Sequence, residues 1–463
     1  MHDLRKKALL ESGKTVSRKA RARPDPPRSN GALSPGDASP ASSRPGSRAP
    51  SMAGSRAGSR VPSEDEASDY EYDDAMTLSS ANSVSGEDVY GDDDTNTTWP
   101  DRLQDRITEM LDRKRSSAQG REATMKAYEH ILKHHYALKY IEKNISEINA
   151  ALIRSIRSGA SDQERLYALK ALTATILTYP SETIFDHVWS VLKVATEDGE
   201  EDKIKVEAIN AISIAVTLGG GSSSAAEEVL DFLLEIIESD GHSVSAPDNG
   251  SVVAAALQAW AFVASYVDDL SVQSDQAMEA FMEQLDSTDS DVQAGAGVNI
   301  ALLFESARDY EQETGENSDM QYNQHRIMTR MSEIVRDSSK NVSKSDRKQL
   351  KNQFQSIITS LERGLGPGYS TAGRGAANPH TGGSKMETGG GGEEGFVEFG
   401  YREKLRIHSQ SLIIDTWSLH ARVETLKTVL GGGLATQYTD NPAVREVLED
   451  ADVEYMAKTT KRR

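Results

Sequence analysis

His130 and His134 stand four residues apart, with His135 beside them. On a helix that spacing puts two imidazoles on one face, which is how a histidine pair begins a metal site. No third ligand follows at a useful distance. Glu129, Lys126, Lys133, Lys139 and Lys143 make the surroundings an ordinary charged helix face, so no metal is expected. Gly219-Gly220-Gly221-Ser222 lacks the Lys-Ser/Thr pair that completes a phosphate-binding loop, and reads as a connection between helices. Neither a Gly-x-Ser-x-Gly nor a His-Glu-x-x-His is present. The expectation is a chain without catalytic residues, cofactor or small-molecule substrate, and not an enzyme. What remains with chemical potential is positive charge. Lys340, Lys344, Arg347, Lys348 and Lys351 form the densest basic run of the foldable part, continued by the apolar positions Phe354, Ile357, Ile358 and Leu361. Such cations either contact a nucleic-acid backbone or form the solvated face of a helix whose other face is buried.

The elements that must carry these residues show in a recurring pattern. Ala168-Leu169-Lys170-Ala171-Leu172, Ala208-Ile209-Asn210-Ala211-Ile212 and Ala256-Leu257-Gln258-Ala259-Trp260 share the order Ala, apolar, any, Ala, apolar. Ala294-Gly295-Ala296-Gly297-Val298 is a degenerate fourth copy, and the starts lie 40, 48 and 38 residues apart. A period near 40 with small residues on a helical stripe is the mark of stacked helix pairs of the armadillo or HEAT type. Each pair buries its apolar face only against its neighbours. Helices are expected at 161–178, 181–196, 202–218, 225–239, 251–267, 272–286, 289–308, 322–338 and 345–363, after earlier ones from Asp101 and across 138–156. Asp289 and Ser181 with Thr183 read as N-caps. Lys404–Ile407 and Ser411–Asp415 look like short strands, followed by a helix from Thr416 to Leu430 and a last one behind Asn441-Pro442.

The expected organisation follows from composition. Residues 1–100 are a basic and then acidic disordered arm, with Gly-Ser-Arg repeats in its middle; 101–363 form the helical repeat domain. Residues 364–395 hold 12 glycines in 32 positions and read as a flexible linker. Residues 396–450 form a small domain, and 451–463 a short basic tail. The fold class is mainly α: an armadillo/HEAT-like α-solenoid with a small C-terminal α+β domain and a disordered N-terminal region. Net charge is −20, and residues 181–320 carry 29 Asp/Glu against four Lys/Arg. Phosphate would be repelled there, so nucleic-acid contact belongs to the ends, at 113–170 and 326–351, where Arg326 and Arg330 join the basic run. The acidic middle suits basic protein partners. The most apolar window, Val252–Val267, is too short to span a bilayer, so no membrane association is expected. The absence of cysteine fits an intracellular chain, and no heptads argue for a dimer, so a monomer is expected.

Three blocks resemble the interferon-related developmental regulator family. They are Ala294–Arg308; Ser345-Asp346-Arg347-Lys348-Gln349 with Phe354; and Glu398-Phe399-Gly400 through Ile414-Asp415-Thr416-Trp417, Leu426–Gly431 and Asn441 with Val444-Arg445. The resemblance implies an armadillo-like, non-enzymatic regulator of gene expression. Its partner is then either the inactive ribosome and its RNA, acting on translation in the cytoplasm, or corepressor and deacetylase proteins in the nucleus. Carried over by position, Arg347, Lys348 and Lys351 become candidates for RNA contact, with Lys344, Arg326 and Arg330 in the same patch. Trp417, Leu426, Val429 and Leu430 become core positions of the C-terminal domain. The glycine-rich insertion and the short C-terminal tail depart from the animal pattern.

Overall fold

A computed structural model describes residues 98–267, 269–315, 322–337, 344–368 and 403–455, with the side chains of all of these except 115, 272, 337 and 344–348. The arm before residue 98, the span 369–402 and the tail after 455 lie outside the described residues. Helices dominate in the order α1 (Trp99–Leu111), α2 (Ala118–His134), α3 (Leu138–Ile141), α4 (Ile145–Ser158), α5 (Asp162–Thr178), α6 (Ile184–Asp198) and α7 (Asp202–Leu218). There follow α8 (Ser223–Glu238), α9 (Gly250–Ala264), α10 (Ser271–Gln284), α11 (Ser290–Thr314), α12 (Gln324–Asp337) and α13 (Lys344–Arg363). They pack as six successive pairs among the described residues: α1/α2, α4/α5, α6/α7, α8/α9, α10/α11 and α12/α13. The second helices α2, α5, α7, α9, α11 and α13 also pack on one another in that order, forming one continuous row. The small residues of the repeat lie in this row. Ala168, Ala171, Ala208, Ala211, Ala256 and Ala296 are buried where helix approaches helix.

Local chemistry sets the helix starts. Side chains of Ser117, Ser161, Ser222, Asn249 and Asp289 accept N–H groups of the first turns of α2, α5, α8, α9 and α11, supplying partners that a helix N-terminus lacks. Asp101 accepts from both the backbone and the hydroxyl of Thr98 at the start of α1. Gly220 follows α7 with φ +84°, and a Cβ there would lie 2.2 Å from the backbone of Glu182, so the triple glycine is a tight inter-helix turn. The stretch 138–156, expected as one helix, is broken by a 3₁₀ turn at Glu142–Asn144. Among the described residues, no helix is long and apolar enough to cross a membrane.

Beyond residue 402 come β1 (Glu403–Ile407), β2 (Gln410–Ile414), α14 (Trp417–Leu430), α15 (Leu434–Asp440), α16 (Pro442–Val447) and β3 (Asp452–Tyr455). The sheet is antiparallel in the order β1-β2-β3, with Leu405 opposite Leu412 and Leu412 opposite Val453. The tail expected from residue 451 thus begins as a strand. Its four residues are all exposed, and its place is set by pairing with β2. Helices α14 to α16 pack along the second-helix row, α14 mainly on α9 and α11, α15 on α2, and α16 on α5.

One buried cation ties two pairs together. Lys205, 1% exposed, donates from Nζ to the carbonyls of Thr196 (3.1 Å), Glu197 (3.2 Å) and Val244 (2.6 Å). It therefore caps the C-terminal end of α6, where a positive charge also meets the helix dipole. Lys205→Met keeps the stem and strands three acceptors. The expected cost is about 2–3 kcal/mol by urea denaturation, and an unchanged midpoint would show that the carbonyls find other donors.

Candidate functional site

The predicted cations fare differently. Lys351 and Arg326 are exposed on α13 and α12. Lys344, Arg347 and Lys348 lie on the first turns of α13, with side chains outside the described residues. Arg330 is committed to acids: its Nε lies 2.7 Å from Asp286, a second guanidinium nitrogen reaches the same carboxylate, and Nη1 lies 3.1 Å from Glu333. The 113–170 patch is also partly spent. Glu164, fully buried, accepts from Arg113 (3.0 Å), Arg121 (2.9 and 2.7 Å), Ser155 (3.0 Å) and the Ala160 N–H (3.0 Å). Burial pushes its carboxyl up, but Arg121, Ala160 and Ser155 hold it below the usual glutamate range. Lys133 pairs with Glu129 and Lys170 with Glu207.

The cations left exposed in this region are Lys114, Lys126, Lys139, Lys143, Arg154 and Arg157. Lys139 and Lys143 flank Tyr140, which is 42% exposed. Tyr140 meets the ring of Trp99 edge-on at 5.2 Å, and Trp99 stacks on His135 at 4.5 Å and 5°. The three histidines thus divide: His135 stacks on Trp99, while His130 and His134 face each other at 4.2 Å. Burial and neighbouring His134 lower the basicity of both His130 and His135. Aromatic rings beside the exposed Lys139 and Lys143 make an aromatic and cationic surface. Trp99 was legible only as the end of the arm, and its neighbours as a charged face.

Among the described residues, the group whose ligand atoms come close enough for a metal is Glu403, His420 and Glu424. Both of its carboxylates already have partners. His420 Nδ1 lies 2.8 Å from Glu403, and Lys427 Nζ 2.9 Å from Glu424. Burial opposes the His420 cation, yet Glu403 holds its pKa above the usual imidazole value. Burial likewise opposes the Glu403 anion, and His420 and Lys427 hold that carboxyl low. Two carboxylates facing an imidazole and an ammonium form a paired cluster that joins β1 to α14.

A further polar arrangement is the seam between α14–α16 and the second-helix row. Glu305 of α11 accepts the backbone N–H groups of Trp417 (2.8 Å) and Ser418 (2.9 Å), the first turn of α14. Burial pushes its carboxyl up, and these two donors offset part of the rise. Trp417 Nε1 donates to Ser360 of α13 at 2.9 Å, and Arg422 to the Ser265 carbonyl after α9 at 2.6 Å. Gln437 donates to the Leu132 carbonyl of α2 (2.6 Å), and Asn441 to that of Leu177 in α5 (2.9 Å). Trp417, Leu426, Val429 and Leu430 are buried, in one continuous core with the repeat helices. Position in the sequence gave no sign of this: each donor and its acceptor lie more than fifty residues apart.

A profile described as interferon-related developmental regulator matches residues 73–362, more than half of the chain. The chain belongs to the interferon-related developmental regulator family. An uncharacterized protein of Schizosaccharomyces pombe is 24% identical over 365 residues, covering 76% of this chain and 74% of its own. Interferon-related developmental regulator 1 of Sus scrofa is 21% identical over 377 residues, covering 79% and 74%. Interferon-related developmental regulator 2 of Mus musculus is 26% identical over 199 residues, covering 42% and 36%. The matched profile stops at the end of α13, so in this family member the seam joins the profiled region to residues beyond it.

Proposed function

We propose that the chain is a non-enzymatic regulator that binds ribosomes, touching unpaired ribosomal RNA through the surface around Tyr140. The observation that carries this reading is the placement of Lys139 and Lys143 beside an exposed tyrosine and a Trp99–His135 stack. Aromatic faces stack on bases and lysines follow the backbone, which is how single strands are held without sequence readout. The surface also lies outside the acidic stretch 181–320, so phosphate can approach it. The exposed Lys351 and Arg326 offer a second contact at the other end of the repeats. Arg330 is the weakest of the six cations first considered, because Asp286 and Glu333 already neutralise it.

The test is co-sedimentation of the full chain with ribosomes at low and high salt. Binding through phosphate contacts falls steeply as salt rises, by a slope of about 0.7–0.9 per contact on logarithmic axes. Lys139→Glu with Lys143→Glu is expected to lower the slope by about two such contacts, and Tyr140→Ala to weaken binding at every salt. Unchanged sedimentation of both variants would sink the assignment. A second reading, a nuclear co-regulator that scaffolds corepressor or deacetylase proteins, is favoured by the acidic excess of 181–320. It predicts no co-migration with ribosomes at either salt and capture of basic protein partners that is lost on neutralising those acids.

A further inference from the structure

In a helical-repeat array each unit touches only its neighbours, so stability and motion pass from pair to pair. This chain departs from that rule. One segment of about thirty residues, α14 to α16, reaches five of the six second helices. It meets α13 through Ser360, α11 through Glu305, α9 through Ser265, α5 through Leu177 and α2 through Leu132. The acceptors at Leu132, Leu177 and Ser265 are carbonyls of the last helical turn or just beyond, groups a helix leaves without internal partners. Gly433 is held so close that a Cβ would stand 2.2 Å from the Lys133 carbonyl oxygen. The second-helix row is therefore covered at five of its six helices, by a segment hydrogen-bonded to it.

The connection costs little. Gly366 lies against Asp415, since a Cβ there would meet the Asp415 carbonyl oxygen at 1.7 Å, and neighbouring Ile414 pairs with Glu403. The described residues on either side of 369–402 thus lie near one another, and the separation to be bridged is short. We infer that the second-helix row is a docking surface whose partner is the chain's own segment 403–455, and that this tethered ligand couples the first helix pair directly to the last. External partners are left the first helices and the two ends.

Two experiments on the full chain decide this. A protease site placed within 369–402 is cut after purification. The two pieces are expected to co-elute on size exclusion and to unfold in one thermal transition. An array piece that elutes alone with an unchanged midpoint would overturn the inference. The second experiment is hydrogen exchange on Glu305→Ala. Removing the acceptor at the fifth pair is expected to speed exchange of amides in the last turn of α2, in the first pair, by about tenfold or more, the scale of one lost hydrogen bond. Faster exchange confined to the last three pairs would mean that coupling passes only between neighbours, and would equally overturn it. The cut changes none of the described residues, so it decides the matter even where Glu305→Ala fails to fold.

Discussion

Trp417→Ala is expected to cost about 3–5 kcal/mol, the range for removing a large buried aromatic. The indole is 1% exposed, meets His420 edge-on at 5.4 Å, and donates from Nε1 to Ser360 at 2.9 Å. Truncation leaves a cavity where three parts of the fold meet, at α14, α11 and α13. Trp417→Phe helps separate the contributions: it keeps much of the buried ring, loses the Nε1 donor and part of the indole, and should cost about 1–2 kcal/mol. Urea denaturation of the full chain reads both. Equal costs for the two variants would mean that the hydrogen bond, and not the packing, carries the effect.

Glu164→Gln is expected to cost about 3–5 kcal/mol, because it leaves Arg113 and Arg121 facing a neutral group where a buried carboxylate stood. The sign of the pH dependence follows from the direction of the shift. Glu164 ionises more readily in the fold than in the unfolded chain. Its contribution is therefore full above the ordinary glutamate range, and is lost as pH falls through the lower, folded value. Denaturation midpoints of wild type and Glu164→Gln, measured from neutral to acid pH, should converge at the acid end. A gap that stays constant with pH would show that the charge on Glu164 is not what stabilises the first two pairs.

These two residues also mark what the sequence makes legible. The repeat stripe worked because alanines at i and i+3 are buried by the neighbouring helix whatever the distant chain does: Ala168, Ala208 and Ala256 need only their own period to be recognised. Asn441-Pro442 was legible for the same local reason, since Asn441 does accept from Ala443 at the start of α16. Glu164, Lys205 and Glu305 were not. Each sits in a helical stretch where a charged residue normally faces water, and each is buried because its partners arrive from elsewhere in the chain. Trp417 was read as the core of a separate small domain, which local pattern supports; its donor bond to Ser360 depends on tertiary docking. The cationic site was half legible. Charge counts located the basic ends, but pairing of Arg113, Arg121 and Arg330 with acids decides which cations remain for a ligand, and counts do not contain pairing.

The near-meeting of Gly366 with Asp415, and of Ile414 with Glu403, has a practical corollary. A connection between two nearby points gains only about 0.6 kcal/mol of closure cost for each doubling of its length. The span 369–402 is then a natural port: a fluorescent protein or an affinity module spliced there would leave the array and its seam undisturbed, and new chain ends opened there would yield a circular permutant with the same core.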